Sequence, residues 1–164
     1  MTTTSDQPPI PQNMGEQVSD ATLRILLGYN MKRAFNVLQG DLTRTLKPHG
    51  LRMITFTALV LIVDNPGLKQ SQLADALAVE RPNLVVIVDE LERRDLITRD
   101  QVPTDRRAYA LMATLAGQRL YDVALGDVLA HENKMLSKLN KTERAQVIAA
   151  MRLVESVGRK EKPE

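Results

Sequence analysis

Leu73-Ala74-Asp75-Ala76-Leu77-Ala78-Val79-Glu80-Arg81-Pro82-Asn83-Leu84-Val85-Val86-Ile87-Val88-Asp89-Glu90-Leu91-Glu92 is the stretch from which the fold is read outward. Its apolar positions, Leu73, Ala74, Leu77, Val79, Leu84, Ile87, Val88 and Leu91, predict two short helices, about 70–77 and 81–94. Only Ala78-Val79-Glu80 joins them. Pro82 falls in the first turn of the second helix, where its missing N–H costs nothing. Two helices packed across so tight a turn form a helix-turn-helix, whose second helix can enter a major groove. On these residues alone, a packed helix pair with no nucleic-acid role is an equally good reading.

Downstream, a strand-like stretch at 96–102 meets Pro103-Thr104-Asp105-Arg106-Arg107, and a second strand follows at 108–113. A hairpin with a basic tip directly after such a helix is placed to reach a phosphate or an adjacent minor groove, whose negative potential attracts Arg. Upstream, Leu23, Leu27, Met31, Ala34, Leu38, Leu42 and Leu46 recur at steps of three and four, predicting a long helix from about Ser19. Pro48 and Gly50 end it. A helix over 54–63, apolar nearly all round and so buried, stops at Asn65-Pro66-Gly67. After the hairpin, Thr114 is placed to cap a helix over 115–136. A last helix over 142–157 starts at Asn140 or Thr142 and carries the stripe Val147, Ile148, Met151 and Val154. The long outer helices lie at opposite ends of the chain, and their wide stripes need a partner. A second copy of the chain is the economical one.

The bulk numbers agree with this order of elements. At 164 residues, 43% of them hydrophobic, the chain suffices for one compact unit. Aromatics at 3% and the absence of Trp favour helices over a β-sandwich. The formal charge of +2 does not by itself announce a nucleic-acid binder, so charge placement must carry that argument. There is no cysteine, which excludes disulfides and thiolate metal or redox sites. The longest apolar run, within 57–63, falls far short of the ~20 residues that span a bilayer. The N-terminus shows no basic-then-apolar secretion pattern, so a cytoplasmic protein is expected.

The run Leu91-Glu92-Arg93-Arg94-Asp95-Leu96-Ile97-Thr98-Arg99, then Asp105-Arg106-Arg107, then Ala113-Thr114-Leu115-Ala116-Gly117, resembles the "LExxGLIxR … DRR … LTxxG" signature of MarR-type regulators. The spacing matches, and the likeness extends over about 23–157. The resemblance implies a mainly α fold: a winged helix-turn-helix at 51–113, with N- and C-terminal helices at 18–50 and 114–158 forming a dimerisation region. Residues 1–17, with Pro8, Pro9 and Pro11, are read as a flexible arm, and 159–164 as a tail. It further implies a homodimer on a pseudo-palindromic DNA site, acting as a repressor that a small ligand releases.

Carried onto this chain, Arg81 and Asn83 are expected to contact bases or phosphate, with Ser71 and Gln72 on the DNA backbone. Val85 and Val86 stand where polar or basic residues are common; they supply fewer hydrogen bonds but can meet thymine methyl groups. In the wing, Asp105 would orient an arginine, Arg107 would reach the minor groove and Arg106 a phosphate. Two departures are local. Asp95 replaces the usual Gly at a position that wants left-handed backbone, which Asp tolerates. Lys69 stands where a Thr cap is common.

The segment 24–52 holds six basic residues, Arg24, Lys32, Arg33, Arg44, Lys47 and Arg52, against one acid, Asp41. Tyr29, Arg33, Val37, Gly40 and Arg44 share one side of the helix, and mid-helix Gly40 leaves room for an approach. An anionic effector, an aromatic acid or its acyl-CoA thioester, is expected near Tyr29, Arg33, His49 and Arg52. A solvated basic face, or one that helps cradle DNA phosphates, is the alternative. No phosphate loop, nucleophile setting, carboxylate pair or metal spacing points to an enzyme or a cofactor. The competing function is a winged-helix protein-interaction module without specific DNA binding.

Overall fold

The computed structural model describes residues 18–102 and 105–160, with side chains described for 18–101 and 109–157. The arm expected over 1–17, the turn residues Pro103 and Thr104, and the last four residues lie outside the described residues. The order is α1 (Leu27–Leu46), α2 (Met53–Asp64), β1 (Leu68–Lys69), α3 (Gln70–Leu77), α4 (Arg81–Arg93), β2 (Ile97–Val102), β3 (Asp105–Ala113), α5 (Leu115–Met135) and α6 (Lys141–Lys160). Contacts divide the described residues into two compact units, with the boundary between Asn36 and Val37.

In the first unit the expected helix from Ser19 is interrupted. Leu23–Ile25 form a single 3-10 turn, and Leu26 is extended at φ −84°, ψ 123° before α1 begins. The Asn30 amide donates to the carbonyls of Arg24 and Leu26, both at 2.8 Å, and so occupies acceptors that a continuous helix would use.

The second unit is built around α2. Its Thr55, Phe56, Ala58, Leu59 and Ile62 are buried, and the helix packs against α3, α4, α5 and β3. Around it Leu73, Leu84, Ile87, Val88, Leu91, Leu96, Ile97 and Leu111 complete the principal core. A smaller cluster joins Leu46, Leu51 and Phe56 to Ala124 of α5. Thr55 is tolerated there because its hydroxyl accepts from the Arg52 N–H at 2.9 Å and lies 3.1 Å from the Arg52 carbonyl.

The helix-turn-helix runs as the sequence predicts. Ala78 adopts the left-handed region (φ 52°), and the Val79 N–H donates to the Ala74 carbonyl at 3.1 Å, closing α3 in one residue. Lys69 precedes α3 without a side-chain cap, since an ammonium cannot accept. Instead the Gln72 side chain accepts from the Lys69 N–H at 3.0 Å. Asp95 is left-handed at φ 57°, the geometry expected where it replaces glycine.

The three strands form one antiparallel sheet in the order β1-β3-β2. The two-residue β1, absent from the sequence expectation, pairs Leu68 with Leu111 and Lys69 with Ala110. Two residues carry too little periodicity to be legible. The β2–β3 hairpin holds register from Ile97↔Ala113 to Gln101↔Tyr109, then shifts so that Val102 pairs with Asp105. β3 therefore begins three residues before the expected position 108.

Thr114 caps α5 as expected. Its Oγ1 accepts from the Gly117 N–H at 3.0 Å and donates to the Asp95 carbonyl at 2.7 Å. Because one hydroxyl ties the helix start to the turn after α4, Thr114→Ala is expected to lower unfolding free energy by about 1–2 kcal/mol. Urea titration would read the shift, and an unchanged midpoint would rule out the cap as a stabilising contact. Asn140 is the cap of α6: its Oδ1 accepts from the Glu143 N–H at 3.0 Å, and Glu143 returns the bond to the Asn140 N–H at 2.8 Å.

Candidate nucleic-acid interface

The inner face of α4 is fixed by the core, through Leu84, Ile87, Val88 and Leu91. A helix advances about 100° per residue, so Pro82, Val86, Asp89 and Arg93 point away from that core. Val85 and Asn83 flank them. Arg81, Asn83, Val85 and Val86 are all exposed, the two valines at 45% and 61%. Ser71 and Gln72 are exposed on the first turn of α3. Gln72 is already engaged in closing that turn through its Oε1, which leaves its amide NH2 as the group able to reach a phosphate.

α4 carries two basic residues, Arg81 and Arg93, against three acids, Asp89, Glu90 and Glu92. Unpaired, those acids would repel a polyanion. Each has an arginine partner from a neighbouring element. Arg99 of β2 donates through Nε to Glu92 at 2.9 Å, and its Nη2 bridges Asp89 and Glu92. Arg52, at the N-terminal end of α2, pairs with Glu90. The hydrogen bond to Glu92 is the main reason that the Arg99 guanidinium is held above its ordinary pKa. Arg99 closes the LExxGLIxR-like run, and its role as the partner of Asp89 and Glu92 is first seen in the fold. The signal was there in Asp89 and Glu92, three apart on one helix side, with a basic residue just past the following turn.

Asp105, Arg106 and Arg107 lie on the backbone of β3 at the hairpin end, and their side chains lie outside the described residues.

The four effector candidates are distributed between the two units. In the first, the Tyr29 hydroxyl donates to Asp20 at 2.8 Å, and Arg24 binds the same carboxylate at 2.9 Å while standing 5.6 Å over the Tyr29 ring. The Tyr29 hydrogen bond is the largest cause holding the Asp20 carboxyl below its usual range. Arg24 and Arg33 also contribute. The same bond raises the phenol, so Tyr29 is a neutral donor at physiological pH. With the Asp20 pKa depressed, this contact is complete above the ordinary carboxylate range and is lost as pH falls through the depressed value. In the second unit, His49 Nε2 stands 2.8 Å from Asp127 and Arg52 holds Glu90. Three of the four candidates thus already face a carboxylate of the chain. Gly40 opens no special clearance: an added Cβ would make only an ordinary 3.7 Å contact with Arg44. Among the described residues no group of three or more His, Asp or Glu side chains could hold a metal ion.

Residues 51–109 match the family model described as MarR family. A protein of Thauera aromatica described as a transcriptional regulatory protein for the hcr operon is 33% identical over 130 residues, covering 77% of this chain and 76% of the relative. The structure of the transcriptional repressor CouR bound to a 23-mer DNA duplex superposes with a TM-score of 0.81 at 31% identity, over 85% of this chain and 99% of that one. The chain belongs to the MarR family.

CouR from Rhodococcus jostii RHA1 bound to p-coumaroyl-CoA also matches, with a TM-score of 0.73 at 28% identity over 89% of this chain and all of that one. MarR-family proteins are transcriptional regulators and not enzymes, so the exposed face of α4 and the β2–β3 wing are here parts of a DNA-binding regulator with the winged-helix fold.

Proposed function

We propose that this MarR-family regulator is a cytoplasmic homodimer that represses from a pseudo-palindromic operator and is released by an anionic aromatic acid or its acyl-CoA thioester. The reading unit is 51–113, and the dimerisation helices are 18–50 and 114–158. The observation that carries the reading is the α4 surface: Arg81, Asn83, Val85 and Val86 are exposed while every acid on the helix has an arginine partner. Arg81, Asn83, Val85 and Val86 then face the major groove. Ser71 and Gln72 meet the backbone, Arg106 a phosphate and Arg107 the minor groove, with Asp105 orienting the wing.

The effector proposal is supported by CouR, the neighbour that binds p-coumaroyl-CoA, and by the basic segment 24–52. Tyr29, Arg33, His49 and Arg52 are its proposed contacts. The Arg52–Glu90 pair gives release a physical route. A ligand anion that draws Arg52 away leaves an unpaired acid on the reading helix, where phosphates repel it.

Fluorescence anisotropy with DNA from upstream of the protein's own gene, at ~150 mM salt against competitor, tests this reading. Binding at least ~10³ tighter than to random sequence is expected, reversed by one member of a panel of aromatic acids and thioesters. Equal weak binding to both DNAs would favour a protein-interaction module, and no response to the panel would remove the effector assignment. Arg106→Ala is expected to weaken all sequences alike and reduce the salt slope by about one unit. An unchanged slope would take Arg106 off the phosphate.

A further inference from the structure

The two exposed valines of α4 invite a more specific reading, which rests on the DNA-binding reading above. We infer that Val85 and Val86 read thymine C5-methyl groups, so that each operator half-site presents thymine to the middle of α4.

Val86 lies opposite the buried Leu84, Ile87, Val88 and Leu91 and is 61% exposed; Val85 beside it is 45% exposed. A β-branched apolar pair on the outer face of a helix gains nothing from water and has no packing partner in the core it turns away from. The thymine methyl is the one apolar group that a base edge offers in the major groove. The surroundings fit a groove better than a protein. Arg81 and Asn83 stand a turn earlier, able to meet phosphate or a base edge, and the acids of the following turn are paired with Arg99 and Arg52. Two side chains are also far too small a patch for a stable protein contact, which takes roughly 800 Å² on each partner. They are the right size for one or two methyl groups. Because valine offers no hydrogen bond, it confers preference by shape and contact alone. Cytosine, which has no methyl at that place, is then selected against by omission.

The test begins with selection of binding sites from a random duplex library by the full-length protein, followed by deoxyuridine substitution of each half-site thymine in turn. Removing the read methyl is expected to weaken binding about three- to fivefold, the worth of one buried methyl-sized group. Substitution at the other thymines is expected to change little. Val85→Ala and Val86→Ala, at exposed positions, keep the fold, which circular dichroism checks. At least one of them is expected to bind thymine and uracil versions equally. If every uracil substitution is neutral while the selected site is still preferred over random DNA, the methyl reading falls and the regulator reading stands. If a methyl matters equally to wild type and both variants, another residue reads it and the inference falls. If no sequence is preferred over random DNA, both readings fall.

Discussion

Gly117→Ala is expected to be the most damaging glycine-to-alanine change among the described residues, costing about 3 kcal/mol or more of folding free energy. A Cβ at Gly117 would stand 1.9 Å from the Leu96 carbonyl oxygen and 2.9 Å from its carbon. Both are backbone atoms, so no side-chain rotation relieves the overlap. The carbonyl is not free to move either, because it accepts the Thr114 N–H at 3.0 Å, while the Leu96 N–H is bound to Leu91 at 3.0 Å. To make room, α5 would have to tilt away from the wing, breaking the Thr114 cap on both sides. Thermal unfolding of the purified variant, or its failure to accumulate as folded protein, would show the effect. A loss below about 1 kcal/mol would mean that the start of α5 shifts freely.

The largest functional effect expected away from direct DNA contact is that of Arg99→Ala. Its side chain is only 22% exposed, and it holds two carboxylates of the reading helix at once. Removing it unpairs Asp89 and Glu92 on the helix proposed to read DNA and unties β2 from α4. Hydrogen bonds to charged groups are worth about 1.5–3 kcal/mol, and solvent reduces this at a partly exposed site. Operator affinity is therefore expected to fall about ten- to a hundredfold. The salt slope decides how Arg99 acts. As a positioning residue it leaves the slope unchanged, and Arg99→Lys restores part of the affinity. A slope reduced by about one unit would make Arg99 a phosphate ligand instead.

Most of the fold was legible because its signals are local. The periodic runs around Leu73–Leu91 and Leu27–Leu46, the Thr114 cap and the Asn65-Pro66-Gly67 stop each lie within a few residues of the structure they specify. The left-handed backbone of Asp95 was expected only from resemblance to the family, which has glycine at that place. What escaped depends on distant partners. β1 exists only because Leu68 meets Leu111, forty-three positions away, and nothing in a dipeptide announces that. The helix break at Leu26 follows from an amide four residues on. Which residues of α4 face the core was legible, since the 3.6-residue repeat dictates sides. The effector set was less legible. A count of basic residues along 24–52 does not show that Arg24 already holds Asp20 and Arg52 holds Glu90.

The last helix carries a consequence for how a defective copy would behave in a cell. No described side chain of α6 after its first turn is buried, and Val147, Ile148, Met151, Leu153, Val154 and Val157 stand exposed along it. If a second copy covers them, as proposed, folding stability is tied to concentration by mass action, and the melting temperature rises as the protein is concentrated. Subunits then exchange through α6 and not through α4. A chain that has lost its wing arginines but keeps α6 would still pair with intact chains. If the operator needs both halves read, as proposed, such mixed pairs would be silent, and the lesion would behave as dominant over the wild-type allele.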